Sequence, residues 1–169
     1  MSESNRKTAE YAEQWLNFRG VQIRQIAELV YEMQQPYYTD LTIEQCEDYV
    51  RKVLSKREVL NAVLTGIQLD MMAEQKKLIE PLQRMVANDE GLYGCDEILA
   101  LSIVNVYGSI GLTNFGYIDK VKPGIVGKLN DKKNQNSHIH TFLDDIVGAI
   151  AASTCSRIAH TWTEDQEKG

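Results

Sequence analysis

The run FLDDIVGAIAAS, residues 142–153, decides how this chain is read. Phe142, Leu143, Ile146, Val147 and Ile150 are apolar, and Gly148, Ala149, Ala151 and Ala152 are small. Such a run reads as a helix buried on most of its sides. Asp144 and Asp145 stand inside it. An unpaired carboxylate is very costly in an apolar interior, so two of them need a metal, hydrogen-bond donors or basic partners. The pair asks for a function.

Outward from that run the chain reads as helix after helix. One helix carries Tyr11, Trp15 and Phe18 and stops near Gly20. A second places Ile23, Ile26, Ala27, Val30 and Met33 at helical spacing and ends at Pro36. Thr42 and Gln45 form a capping box ahead of Ile43, Cys46, Val50, Val53 and Leu54. Ser55 and Glu58 read as a second box, opening a long helix with Val59, Leu60, Val63, Leu64 and Ile67 on one side. Pro81 suits the first turn of a short helix through Val86. Asp96–Glu97 open the run "ILALSIVNVYG", which is apolar on most faces and reads as a central helix. The glycine-punctuated stretch after it predicts one helix over about Phe115 to Val121 and a restart at Pro123. "NDKKNQNSH" reads as a polar loop, and the last long helix covers about His140 to His160. No strand alternation and no fixed repeat appears. The expected fold is all-α: a single-domain helical bundle over residues 1–169 around a central apolar helix, with 1–7 and 164–169 frayed.

The chain has 169 residues, enough for one sizeable core. It carries 24 acidic against 18 basic residues, a formal charge of −6, which excludes a broad nucleic-acid-binding surface. The N-terminal residues are polar, and no apolar run is expected to approach the ~20 residues that cross a bilayer. The expected location is the cytoplasm, with peripheral contact at the inner membrane face left open. Cys46, Cys95 and Cys155 are far apart and lack CxxC spacing, which suits ordinary reduced thiols rather than structural zinc.

Two acidic dipeptides, Asp96–Glu97 and Asp144–Asp145, each lie near the start of an apolar helix. The helix dipole alone favours an acid there. Capping needs one acid per helix, however, and neighbours on a helix point ~100° apart, so a pair reaches from the polar edge into the buried side. Two helices that present such pairs to one another can bind a hard divalent cation through oxygen. Asp119 adds a third acidic position, three residues before Lys122. Its readings are a surface ion pair or a metal ligand beside a lysine that holds a phosphate oxygen. Lys52, Lys56 and Arg57 form a basic stretch, read as a solvated helix end or as a surface facing a phosphate, through Arg57, or an anionic membrane.

The three runs "DEILALSIV", "FGYIDKVKPGIVGKLND" and "FLDDIVGAIAA" resemble, in order and spacing over about residues 94–160, the C-terminal half of the phosphatidylglycerophosphatase A family. The matching residues are Asp96 and Glu97, Asp119 with Lys122–Pro123, and Asp144 and Asp145. Along most of its length the chain is similar to the small soluble branch of that family. The resemblance implies an all-helical phosphatase that uses Mg²⁺ to hydrolyse a phosphate monoester, with phosphatidylglycerophosphate as the family substrate. Carried over, Asp96, Glu97, Asp119, Asp144 and Asp145 would hold metal. Asp144, Asp145 and Glu97 would serve catalysis, and Lys122, with Arg57, would bind the phosphate. The glycine- and proline-rich N-terminal motif of the membrane-bound members is absent, so a lipid head group and a soluble monoester both stand as substrates.

Two further readings belong to other classes. An all-α nucleotide pyrophosphatase also sets carboxylates on helices, and Glu28 and Glu32 faintly echo its acidic helix. A non-catalytic, metal-binding oligomeric module is the other. The small-residue edge Gly148, Ala149 and Ala152 allows close approach of a helix from the same chain or from a second copy, so a homo-oligomer is expected. His138 and His140 read as part of a polar loop, and Gly108, Gly111 and Gly116 as helix breaks or a phosphate nest.

Overall fold

The computed structural model describes residues 2–131 and 138–167, with side chains to Trp162. The helices are α1 (Glu3–Phe18), α2 (Ile23–Gln34), α3 (Ile43–Leu54), α4 (Arg57–Glu74), α5 (Leu82–Asn88), α6 (Cys95–Val104), α7 (Gly108–Val121), α8 (Gly124–Asn130) and α9 (Leu143–Glu167). A 3₁₀ turn, Asn105–Tyr107, joins α6 to α7. The described residues contain no strand, and the all-α expectation holds.

The hub is α9. Every residue from Thr141 to Ser156 is buried, and α2, α3, α4, α6, α7 and α8 all pack on it. Small residues make this crowding possible. A Cβ on Gly66 of α4 would run into the Ile146 side chain and lie 3.0 Å from Phe142 Cβ. A Cβ on Gly148 of α9 would lie 3.2 Å from Ile118 of α7. At Gly148 the small-residue edge is thus filled from within the chain. Gly66→Ala should cost about 1–3 kcal/mol through overpacking, lowering Tm by roughly 2–12 °C in a thermal melt. An unchanged Tm would mean that the α4–α9 crossing is looser than described.

Several expectations change. The very apolar α6 is not enclosed: Ile98 is 67% exposed, and α9 takes the central place. On α1 the aromatic residues Tyr11, Trp15 and Phe18 face outward, while Ala9, Ala12 and Leu16 fill the core. Helix α1 begins at Glu3, where Ser2 Oγ accepts from the Asn5 N–H, so residues 3–7 are helical. The Thr42–Gln45 box forms, at 3.2 and 2.9 Å. The Ser55–Glu58 box does not: Ser55 Oγ donates to the Lys52 carbonyl, and Lys56 is the N-cap without a side-chain cap. The stretch from Cys95 to Val121 is long and apolar enough by length and composition to cross a membrane. Its glycines, read as breaks, lie within one nearly continuous helical path. Gly108 enters α7 at φ +73°, and Gly111 packs on Val104 and Tyr107. The polar loop expected over residues 130–138 and the tail expected from Glu164 fall largely outside the described residues and side chains.

Candidate metal and phosphate site

Both acidic dipeptides occupy the second and third positions of their helices, Asp96–Glu97 in α6 and Asp144–Asp145 in α9. Helix α6 starts at Gly94, whose φ of +75° is a conformation glycine adopts freely. The two helix starts bring ligand atoms of Asp96, Glu97 and Asp145 within 4.8 Å of one another. Asp96 and Asp145 are buried, and Glu97 is partly exposed. Asp96 Oδ1 and Glu97 Oε2 are buried atoms with no hydrogen-bond donor. A buried carboxylate oxygen without a donor is unstable unless a cation meets it or a proton neutralises it. An all-oxygen donor set of this kind fits a hard divalent ion such as Mg²⁺.

Lys122 completes the site from the other side. Its Nζ lies 2.8 Å from Asp119, 3.3 Å from Asp144 and 3.2 Å from Asp145. The sequence-predicted acids therefore divide into two adjoining groups that share Asp145. The lysine closes α7 in the left-handed region at φ 50°, with its N–H bonded to the Ile118 carbonyl at 2.7 Å. That conformation costs a non-glycine residue roughly 1–2 kcal/mol. Pro123 then turns the chain into α8. The K-P pair is thus a strained corner that aims an ammonium at three carboxylates. Arg57 is not brought to the carboxylates: it opens α4 as an exposed residue, nine positions before Gly66 and so about 14 Å along the helix.

The electrostatics are strongly unbalanced, with five carboxylates around one ammonium. Burial raises Asp144 to about 6, against the pull of Lys122. Burial, then the neighbouring Asp144, raises Asp145 to about 7. Burial, then Glu97, raises Asp96 to about 7. Lys122 is held charged: burial opposes its charge, but Asp144, Asp119 and Asp145 together outweigh burial and raise its pKa. The sign for stability follows by linkage. Acids whose folded pKa exceeds the ordinary 3.8 bind extra protons when folded. Their stabilising contribution is complete below that value and is lost as pH rises to about 7. His140, held below 6.5 by burial, acts the other way but is a single group. The metal-free protein should therefore melt lower at about pH 8 than at about pH 5, and added Mg²⁺ should raise Tm more at the higher pH. A metal effect that does not grow with pH would contradict this assignment.

One residue of the site escaped the sequence reading. Asp70 of α4 is fully buried and accepts from the N–H groups of Phe142 (3.1 Å) and Leu143 (3.0 Å), the start of α9. Burial pushes its pKa well up, and those two N–H groups pull it back. One turn on, Glu74 accepts from the Ile139 N–H at 2.8 Å and pairs with Arg19. Arg19 also donates to the Ile139 carbonyl at 2.8 Å, and Thr141 Oγ1 donates to the Val86 carbonyl at 2.7 Å. Four successive fastenings thus fix the segment that delivers Asp144 and Asp145. His138 and His140 lie in it: His138 faces Glu74 at 3.4 Å, and His140 bonds the Leu129 carbonyl at 3.3 Å.

Comparison with known proteins decides the family, because residues 14–160 match phosphatidylglycerophosphatase A. The chain belongs to the phosphatidylglycerophosphatase A family. It is 63% identical over 142 residues to the uncharacterized protein YutG of Bacillus subtilis (strain 168), covering 84% of each chain. It is 57% identical over 155 residues to the uncharacterized protein YpjQ of the same organism, covering 90% of this chain and 86% of that one. Among solved structures, the low temperature requirement C protein from Listeria monocytogenes superposes with a TM-score of 0.87 at 61% identity, covering 92% of this chain and 97% of that one. A protein of unknown function from Bacillus stearothermophilus gives 0.86 at 61% identity, covering 90% and 94%. Membership in the phosphatidylglycerophosphatase A family suggests a phosphatase-like function, and the acidic cluster can hold a metal ion.

Proposed function

We propose that the protein is a Mg²⁺-dependent hydrolase of a phosphate monoester carried on a lipid head group. The observation that carries this reading is the meeting of Asp96, Glu97 and Asp145, with donorless buried oxygens, beside Lys122. Asp96, Glu97 and Asp145 would hold the cation. When bound, the cation neutralises phosphate charge and favours deprotonation of water. Lys122 turns from its carboxylates to a phosphate oxygen as a point charge. Asp144, raised to about 6, is close enough to neutral pH to take a proton from the attacking water. Asp119 keeps the ammonium oriented from the outer side.

The lipid is favoured by exposed apolar residues that lie close to the site residues along the chain. Leu92 and Ile98 flank Asp96–Glu97, Val121 precedes Lys122, and all three are exposed. Exposed apolar residues near an ionic site suit a head group at the edge of an acyl phase. The pyrophosphatase reading loses its support: Glu28 is held by Arg24 at 3.5 Å, and neither it nor Glu32 joins the acidic cluster.

The test is phosphate release with and without Mg²⁺, from phosphatidylglycerophosphate in mixed micelles, from soluble monoesters and from nucleoside triphosphates. The expected result is metal-dependent release of inorganic phosphate, fastest from the lipid. Pyrophosphate release from nucleotides, or Mg²⁺ binding without turnover of any monoester, would reject the reading.

A further inference from the structure

Further along α9 from the acidic site, Asn5, Lys52, Ser55, Lys56 and Arg157 line a cavity of about 230 Å³. Arg157 follows Asp145 by twelve residues of continuous helix, which separates the two places by about 18 Å along the axis. Three cations converging on one pocket is unexpected in a chain of net charge −6. Several other arginines find carboxylates: Arg24 meets Glu44 and Glu47, Arg51 meets Glu13, and Arg84 meets Glu90. Among the described residues no carboxylate stands in ion-pair contact with Lys52, Lys56 or Arg157. Arg157 is half-buried beside the Tyr107 hydroxyl, whose ionisation its charge favours against burial, and its Nε meets no acceptor in hydrogen-bonding geometry. One hydroxyl cannot satisfy the five donors of a guanidinium, and those left over call for an anion or water. Lys52 is steadied on the Tyr49 ring, 4.7 Å from its centroid.

The failed capping box explains the rest. Because Ser55 Oγ turns to the Lys52 carbonyl, no side chain caps the 18-residue α4; Glu58 in its first turn offsets part of the helix charge, and the first N–H groups beside Lys56 stay without a side-chain acceptor. The cavity has room for a tetrahedral anion and several waters. We propose that this pocket binds a phosphoryl dianion, separately from the acidic site and without metal. Arg157 supplies the buried directional donor, Lys52 and Lys56 supply charge, and the bare end of α4 supplies N–H groups. The same chemistry is offered by free phosphate and by the phosphomonoester head group of a lipid. This inference does not rest on the hydrolase reading.

The probe for the first source is inorganic phosphate, titrated into the metal-free protein with EDTA at constant ionic strength and followed by thermal shift and ³¹P line broadening. The probe for the second is sedimentation with phosphatidylcholine vesicles containing phosphatidic acid, against phosphatidylcholine alone. Lys56→Gln and Arg157→Gln should each weaken binding roughly tenfold or more, the effect of losing a charge-assisted contact. Lys56 is exposed, so its variant folds whatever Arg157 does for the core. Asp145→Asn should leave the binding unchanged. Phosphate binding assigns the site to a soluble anion, and binding confined to the phosphatidic acid vesicles assigns it to a head group. The proposal is overturned if neither probe binds, or if Lys56→Gln and Arg157→Gln bind as the parent does. Loss of binding in Asp145→Asn alone would also overturn it, by placing the anion at the acidic cluster.

Discussion

Asp145→Asn should abolish metal-dependent phosphate release while the protein stays folded. Asp145 is the one residue common to both halves of the site: it shares the 4.8 Å cluster with Asp96 and Glu97 and touches Lys122 at 3.2 Å. The asparagine keeps the shape and one oxygen but loses the charge that holds a cation. If the cation supplies even 4 kcal/mol of transition-state stabilisation, the rate falls about a thousandfold. The fold should not suffer comparably. The environment of Asp145 already disfavours its carboxylate, through burial and then through Asp144. Removing that charge relieves the repulsion while losing the Lys122 contact, so the metal-free Tm should change by no more than a few degrees. The added stability that Mg²⁺ confers on the parent should disappear. Full activity in this variant would refute the assignment. A collapse of Tm would show that the residue is structural.

Asp70→Ala should damage both stability and function, although Asp70 is not among the clustered metal ligands. Its carboxylate caps α9 from another helix, and its loss leaves two buried N–H groups, of Phe142 and Leu143, without an acceptor. That costs about 2–4 kcal/mol, roughly 5–15 °C in Tm. Asp144 and Asp145 follow immediately, so the loosened helix start should also weaken Mg²⁺ binding by about 10–100-fold, the size of effect seen for residues that orient metal ligands. Asp70→Asn, which retains one acceptor oxygen, should recover part of both losses. Mg²⁺ titrations well below the lowered Tm separate the two effects. Unaltered Mg²⁺ affinity in folded Asp70→Ala would reduce the residue to a stabilising cap.

Much of the helical layout was legible because apolar residues recur at the helical period and caps mark the ends, as Thr42 and Gln45 do. Where reading failed, a competing interaction won. Ser55 bonds backwards to Lys52 rather than forwards into α4. Of the glycines read as breaks, Gly108 does interrupt the path, at φ +73° between the 3₁₀ turn and α7, whereas Gly111 and Gly116 lie inside α7, Gly111 fitting beneath Val104. Asp70 was legible in principle, since it continues the buried stripe of Val59, Val63, Gly66 and Ile67 at helical spacing. It was passed over because a lone aspartate carries less signal than a pair.

The acidic pairs, their places at helix starts and the K-P corner are written in the residues themselves, because local spacing alone sets them. The resemblance to the family is carried by the same ordered runs, and the match over residues 14–160 decides membership. Which acids meet is a different matter. Asp96 and Asp145 are 49 positions apart, and only the crossing of α6 over α9 brings them together. The division between a donorless carboxylate cluster and a lysine-bound one, the capping of α9 by Asp70, and the meeting of Arg157 with Lys52 and Lys56 further along α9 are all long-range contacts. Tertiary packing decides them, because the energy of a buried charge depends on what faces it across the core.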